Sequence, residues 1–229
     1  MPDAASVVLL VRHGLTPTTG IKLPGRAPGL HLSDEGRRQA EAAAERIGKV
    51  ARIAAVYCSP ITRARETAQP IGRAVKRALR IERDLADLDI GEWTGMSLKQ
   101  AARRPEWETV QRNPSSFRFP GGESFPEMQT RMTSALGRIV ARHPGQIVVA
   151  VSHADPIKAA IAHYTGVHLD LFQRIVVSPA SVTVFELSAH GAAKVKCNDT
   201  GSLDELLPPP PADSAQPTAE AAAAGKVDG

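Results

Sequence analysis

The sequence predicts an α/β fold, a mostly parallel central sheet with helices on both faces. Three observations predict it. Short, predominantly apolar runs recur at Val7–Val11, Ala54–Cys58 and Ile147–Ser152, too short for helices and without the polar alternation of a half-exposed strand. Between them lie longer segments whose apolar residues repeat at helical spacing. The two kinds alternate through most of the 229 residues, the order that gives parallel strands joined by crossover helices. A chain of this length holds one such domain with a sizeable core, or two small ones.

Taken in order, Val7–Val11 is the first buried strand. Ser33 is placed to cap a helix whose first turn carries Asp34 and Glu35 at the positive end of its dipole. Ala40, Ala43, Ala44 and Ile47 form the inner stripe of that helix. Ala54–Cys58 is a second strand, and a helix entered through Pro60 runs to about Val75. A short strand near Leu79–Glu82 leads into a loop rich in acids and glycine, Asp84–Gly95. Two short helical pieces follow, Leu98–Arg103 and Glu106–Gln111. A long helix spans Glu123–Arg142, with Phe125, Met128, Met132, Leu136 and Ile139 facing inward. Ile147–Ser152 is a strand, Pro156–Tyr164 a helix and Val182–Leu187 a late strand. The late strand is expected at a sheet edge, where it could pair with a second subunit and give a homodimer. The composition changes at Pro208: a proline run, then Ala, Ser, Asp and Gly with almost no large apolar residues. Such a segment cannot offset its ordering entropy by burial. The expected organisation is a catalytic domain over 1–207 and a disordered tail over 208–229.

Composition excludes several classes. The net charge of +4 comes without a long Lys/Arg block, and aromatics make up only 4%, too few for base-stacking platforms, so nucleic acid is not an expected partner. No apolar stretch approaches the ~20 residues a membrane helix needs. The N-terminal apolar run is too short for a secretory signal, which leaves the cytoplasm as the expected compartment. Two cysteines, Cys58 and Cys197, make neither a disulfide framework nor a zinc site.

In open α/β sheets, sites form beyond the carboxyl ends of the strands. The first strand end delivers Arg12, His13 and Thr16; the second, Cys58-Ser59-Pro60-Ile61-Thr62-Arg63 and then Arg65, Glu66 and Thr67; the third, Asp87; the fourth, Ser152-His153-Ala154-Asp155. Two histidines, a serine pair, arginines and a carboxylate form a kit for phosphoryl transfer. Arg12 offers a planar fork for phosphate oxygens. A neutral His13 is nucleophilic, and Gly14 is read as letting the backbone approach the anion. A zinc site built from His13, His153 and Asp87 is rejected because the flanking arginines would repel the cation, and no cofactor is expected.

These residues carry a resemblance. Arg12-His13-Gly14, Leu32-Ser33-Asp34-Glu35-Gly36 with Gln39-Ala40, Ser59-Pro60 with Arg63 and Glu66-Thr67-Ala68, Gly91-Glu92-Trp93 with Gly95, Gly121-Gly122-Glu123-Ser124 and Ser152-His153 occur in this order over about residues 7–190. In this the chain resembles the histidine phosphatase superfamily, in the branch of cofactor-dependent phosphoglycerate mutases and small bacterial phosphatases. The resemblance implies a phosphoglycerate mutase-like fold. It makes His13 the nucleophile that becomes phosphohistidine, with Arg12, Arg63 and His153 around the phosphate and Thr16 as an additional donor. The family's acid, usually a glutamate, falls on Asp87, one methylene shorter, with Asp84 and Asp89 as less well-placed alternatives. Two further departures are Thr19, where many relatives have asparagine, and Ala154, where many have glycine; Ala154 still offers a backbone amide.

Other polar residues have plainer readings. Arg65 is expected to make a surface or helix contact, with contact to phosphate as the alternative, Glu66 and Thr67 hold their helix beside the site, and Trp93 packs the acid-bearing loop. Asp155 is expected to cap the following helix, with orientation of His153 as the alternative. Arg103 and Arg104 form a solvated face or, alternatively, reach substrate from a lid. Three functions follow: a metal-independent phosphatase for small phosphomonoesters, a phosphomutase, and a low-turnover protein that binds a phosphorylated ligand. Mutases of the family resemble one another in a long insertion where this chain has only Met96–Pro120, so hydrolysis is the expected reaction.

Overall fold

The computed structural model describes residues 4–201; the tail expected over 208–229 lies outside the described residues. Six strands form one sheet in the order β3-β2-β4-β1-β5-β6. They are β1 (Ser6–Arg12), β2 (Ile53–Cys58), β3 (Leu79–Ile81), β4 (Ile147–Ser152), β5 (Val182–Ser188) and β6 (Gly191–Asp199). The first four run parallel, while β5 is antiparallel to both β1 and β6. The expected fold class is the observed one.

The period-two alternation of strand side chains builds two cores from β1. Val8 and Leu10 face Met132, Leu136 and Ile139 of α5 (Phe125–Arg142) and Ile157 and Ile161 of α6 (Ala154–Thr165). Leu9 and Val11 face Ala44 and Ile47 of α1 (Asp34–Gly48) and Ala64, Ala68 and Ile71 of α2 (Thr62–Ala74). All are buried, and each buried Val, Leu or Ile contributes about 1.5–3 kcal/mol. The ends of the helices follow their sequence signals. The Ser33 hydroxyl accepts from the Gly36 amide at 3.1 Å, and Ser124 and Glu127 form a reciprocal capping box at the start of α5.

A third, largely aromatic cluster packs against α5 and α6 through Phe125, Met128, Ala159 and Ala162. α3 (Leu98–Ala101) and α4 (Trp107–Arg112) are the two short helical pieces; the first ends two residues early and the second is shifted by one residue. Trp93 is fully buried against Trp107, Phe117 and Phe119, which is the packing role expected of it. Arg104 stacks over the Trp93 ring at 5.1 Å and pairs with Glu106, so it braces this cluster instead of reaching the site. Among the described residues no helix is long and apolar enough to cross a membrane.

One expectation is corrected. The late strand is not an edge: β5 is paired on both sides, by β1 and by β6, and offers no free edge to a second subunit. The sheet edges are β3 and β6; β6, whose sequence is GAAKVKCND, shows little apolar alternation because most of it is exposed and carries lysines, as edge strands do. Gly14 has a packing reason to lack a side chain. A Cβ at Gly14 would lie 2.4 Å from the Gly36 carbonyl oxygen, and one at Gly36 would lie 2.0 Å from that of Leu15. The pair lets the start of α1 pack onto the turn after β1. Gly36→Ala is therefore expected to lower stability by about 2 kcal/mol or more; an unchanged urea midpoint would contradict this packing.

Candidate active site

The carboxyl ends of β1, β2 and β4 meet because their last residues are in register. Arg12 is opposite Ser152, and Val11 and Cys58 flank Val151. The His13 amide donates to the Ser152 carbonyl, and the Ser59 amide to that of Val151. Arg63 then falls in the first turn of α2, and His153 is the N-cap of α6. The structure thus brings together all seven expected site residues. Arg12, His13, Thr16, Asp87 and Ala154 line a cavity of about 460 Å³. Arg63 and His153 are fully buried beside it.

His13 is held in one tautomer. Its Nδ1–H donates to the Gly14 carbonyl at 2.8 Å, which leaves the lone pair on Nε2, and Arg63 Nε donates to that atom at 3.2 Å. Burial lowers its pKa well below the ordinary value, and His153 and Arg63 add to the shift. The ring is therefore neutral at physiological pH, with its nucleophilic nitrogen facing the cations. The imidazole of His153 sits edge-on to it with ring centroids 5.1 Å apart. Burial also lowers the pKa of His153 well below normal, followed by the charge of Arg63. Its Nε2 contacts the Ser59 hydroxyl at 2.8 Å.

Asp87 closes the site. Its Oδ2 accepts from Arg63 Nη2 at 2.6 Å and lies 3.5 Å from His153 Nδ1. The carboxylate thus sits where an anion would meet both groups. Three buried nitrogens in this cluster, Arg12 Nε, Arg63 Nη1 and His153 Nδ1, have no hydrogen-bond partner. An unpaired buried polar group costs about 1–3 kcal/mol, and a ligand whose oxygens reached these nitrogens would relieve that cost. The cations of Arg63, which contacts His13, and of Arg12, near enough to act on it, oppose the binding of a metal ion there.

The remaining expectations divide. Thr16 Oγ1 contacts Thr19 Oγ1 at 2.9 Å, and Thr19 Oγ1 accepts from the Thr16 amide, so Thr19 fixes the turn that carries Thr16. The Thr67 hydroxyl accepts from the Gly14 amide and donates to the Arg63 carbonyl. Glu66 accepts from the Leu32 amide and pairs with His31. Both are braces, as expected. Asp155 is not the cap of α6. It lies inside the first turn, lines the cavity and is 3.8 Å from Lys158, and burial raises its pKa. Arg65 does not line the cavity.

Sequence reasoning missed Arg26 and Arg131. Arg26 Nε donates to the Asp87 carbonyl at 2.9 Å. Arg131, on α5, donates to the carbonyls of Asp84, Ala86 and Asp87. Both pair with Glu123. Neither stands in a local pattern that distinguishes it from a surface arginine; Glu123, within the glycine-rich motif, was the only signal. Lys22 and Lys158, on the outer walls of the cavity, were also missed.

Two buried histidines with lowered pKa values make stability depend on pH. Below about pH 6.5 the unfolded chain takes up protons at these positions that the folded chain refuses. Stability contributed by His13 and His153 is complete above that pH and falls as the pH drops below it. The expected slope is about 1.4 kcal/mol per pH unit for each histidine. Urea unfolding at pH 7.5, 6.5 and 5.5 checks this, and a His13→Ala variant should show about half of the slope these two histidines contribute. A flat stability between pH 6.5 and 5.5 would contradict the neutral, buried pair.

The model of the histidine phosphatase superfamily (branch 1) matches residues 8–200. A bifunctional protein of Mycobacterium tuberculosis is 35% identical over 200 residues, 86% of this chain and 54% of that protein, so the chain spans about half the length of that relative. Phosphoserine phosphatase 1 of Hydrogenobacter thermophilus is 30% identical over 204 residues, 87% of this chain and 95% of the relative. Among solved structures, a mycobacterial glucosyl-3-phosphoglycerate phosphatase superposes with a TM-score of 0.76 at 25% identity, covering 85% of this chain and 99% of the other.

Proposed function

The chain belongs to the histidine phosphatase superfamily, branch 1, and from that premise we propose that it hydrolyses small phosphomonoesters through a phosphohistidine on His13, without a metal. The observation that carries this reading is the state of His13. It is neutral, protonated on Nδ1 by the bond to Gly14, and turned with Nε2 toward Arg63.

The substrate phosphate takes the place now held by the Asp87 carboxylate. Its oxygens meet Arg12, Arg63 and His153, with the Thr16 hydroxyl and the first-turn amides of α6, beginning at Ala154, as further donors. His13 Nε2 attacks phosphorus as the P–O bond to the alcohol breaks, and Asp87 in its acid form gives its proton to the departing oxygen. Asp87, now a carboxylate, takes a proton from water as that water attacks the phosphohistidine. Phosphate leaves and His13 is neutral again. The cations stay in place throughout, so they stabilise the charge on the transferring phosphoryl group with little reorganisation.

The cavity is also lined by Leu23, Leu98, Ile175 and Val176. That space suits the alcohol of a small metabolite. The phosphatase names of the relatives support hydrolysis of a small phosphorylated substrate. The test is phosphate release from a panel of small phosphomonoesters at about pH 5 to 8, with chelator present and a His13→Ala control. Release that survives chelation and vanishes in the control supports the proposal. Phosphate returned to a second hydroxyl of the substrate would instead identify a mutase.

A further inference from the structure

We propose that Arg131 is a positioning residue that sets the reach of Asp87 by gripping the backbone of the acid-bearing loop from behind. This rests on the reading of Asp87 as the acid. The guanidinium, about 15% exposed, donates through Nη1 to the carbonyls of Asp84 and Ala86, both at 2.7 Å, and through Nη2 to that of Asp87 at 3.0 Å. Its other edge meets Glu123 twice, at 2.9 and 2.5 Å. Glu123 in turn accepts from the Asp89 amide at 2.9 Å and from Arg26 at 3.0 Å. Arg26 donates to the Asp87 carbonyl at 2.9 Å.

The carbonyl of Asp87 is thus held by two guanidiniums, and the segment 84–89 is fastened at four backbone groups. Arg131, Glu123 and Arg26 are not among the residues lining the cavity, so the node acts on the loop and not on substrate. Leu85 and Leu88 are buried and already anchor the loop in the core. What the node adds is the placement of one backbone unit, the one whose side chain must reach the reacting oxygen. An aspartate at this position has one methylene less than a glutamate to absorb an error, and a displacement of about 1 Å can cost about 100-fold in rate. The node is how the backbone compensates for the short acid.

The test compares an alkyl ester, glycerol 2-phosphate, with an aryl ester, p-nitrophenyl phosphate. The alkoxide needs a proton to leave, whereas p-nitrophenolate departs without one. Arg131→Met is expected to lower kcat for the alkyl ester about 30-fold. It should change KM and inorganic phosphate binding less than about 3-fold, and slow the first-turnover burst of p-nitrophenol by no more than that. In an Asp87→Asn background the same substitution should cost less than about 3-fold, because its effect passes through Asp87. Arg131→Lys keeps the charge but not the three-carbonyl fork, and should recover only part of the loss. Equal losses for both esters, or full additivity with Asp87→Asn, would overturn the proposal. If Arg131→Met does not fold, Arg26→Met, which removes the second guanidinium from the same carbonyl, should show the same ester dependence at about 3- to 10-fold; its absence would overturn the proposal equally. If Asp87→Asn itself spares the alkyl ester, the acid reading falls and this inference with it. If Asp87→Asn behaves as loss of the acid and Arg131→Met does not, only this inference falls.

Discussion

Replacing His13 with alanine is expected to lower phosphomonoester hydrolysis by about 10⁴-fold or more, with the fold intact. The magnitude follows from the role. Without Nε2 no covalent phosphoenzyme forms, and the cations that remain can only position substrate for direct attack by water. The fold should survive because His13 contributes little to the core: it contacts polar neighbours at the mouth of the sheet, and its burial as a neutral ring among cations is itself unfavourable to protonation. Substrate should still bind, since Arg12, Arg63 and His153 are untouched. Steady-state kinetics and thermal melts check both halves. Turnover within about tenfold of the parent in a folded His13→Ala protein would remove the nucleophile from His13.

Asp87→Asn should move rate and affinity in opposite directions. Loss of the acid is expected to lower kcat for alkyl phosphomonoesters by about 10²- to 10⁴-fold. Yet the carboxylate lies 2.6 Å from Arg63 Nη2 and 3.5 Å from His153 Nδ1, and a phosphate oxygen must displace it to reach those groups. Removing the charge of this internal competitor, which also repels the incoming dianion, should tighten inorganic phosphate binding about tenfold. The variant should melt lower without anion, because Arg63 is fully buried and loses its charge partner, and phosphate should restore much of the difference. Calorimetric titration with phosphate beside steady-state kinetics decides the matter. A fall in both rate and affinity would mean that Asp87 helps to hold the phosphate instead of making way for it.

The parts of this molecule legible in the sequence are those whose cause is local. Val8, Leu9, Leu10 and Val11 announce a strand buried on both faces because every position is apolar. Ser33 and Ser124 announce helix starts because a hydroxyl before an apolar stripe has one structural use there. The strand ends then give Arg12, His13, Arg63, Asp87, His153 and Ala154, because a parallel sheet brings those ends together wherever they lie in the chain. What was not legible depends on contacts remote in sequence. β6 is exposed, so no burial shaped its pattern, and without it β5 looked like an edge. Gly14 touches Gly36, twenty-two positions away, and that approach leaves no room for a side chain. Arg131 meets the carbonyls of Asp84, Ala86 and Asp87 across more than forty residues. Main-chain acceptors carry no sequence signature, so the arginine that grips them cannot be distinguished beforehand from one in solvent.

The central claim is a covalent bond between phosphorus and His13. The most direct measurement is to mix the protein with a ³²P-labelled phosphomonoester, quench in alkali within the first turnover and locate the label by proteolysis. A phosphohistidine is stable to alkali and labile to acid, unlike a phosphoserine or an acyl phosphate. The expected result is an alkali-stable, acid-labile label on the peptide that contains His13, absent from the His13→Ala variant. Label on any other residue, or full hydrolysis by that variant with no phosphoenzyme formed, would contradict it.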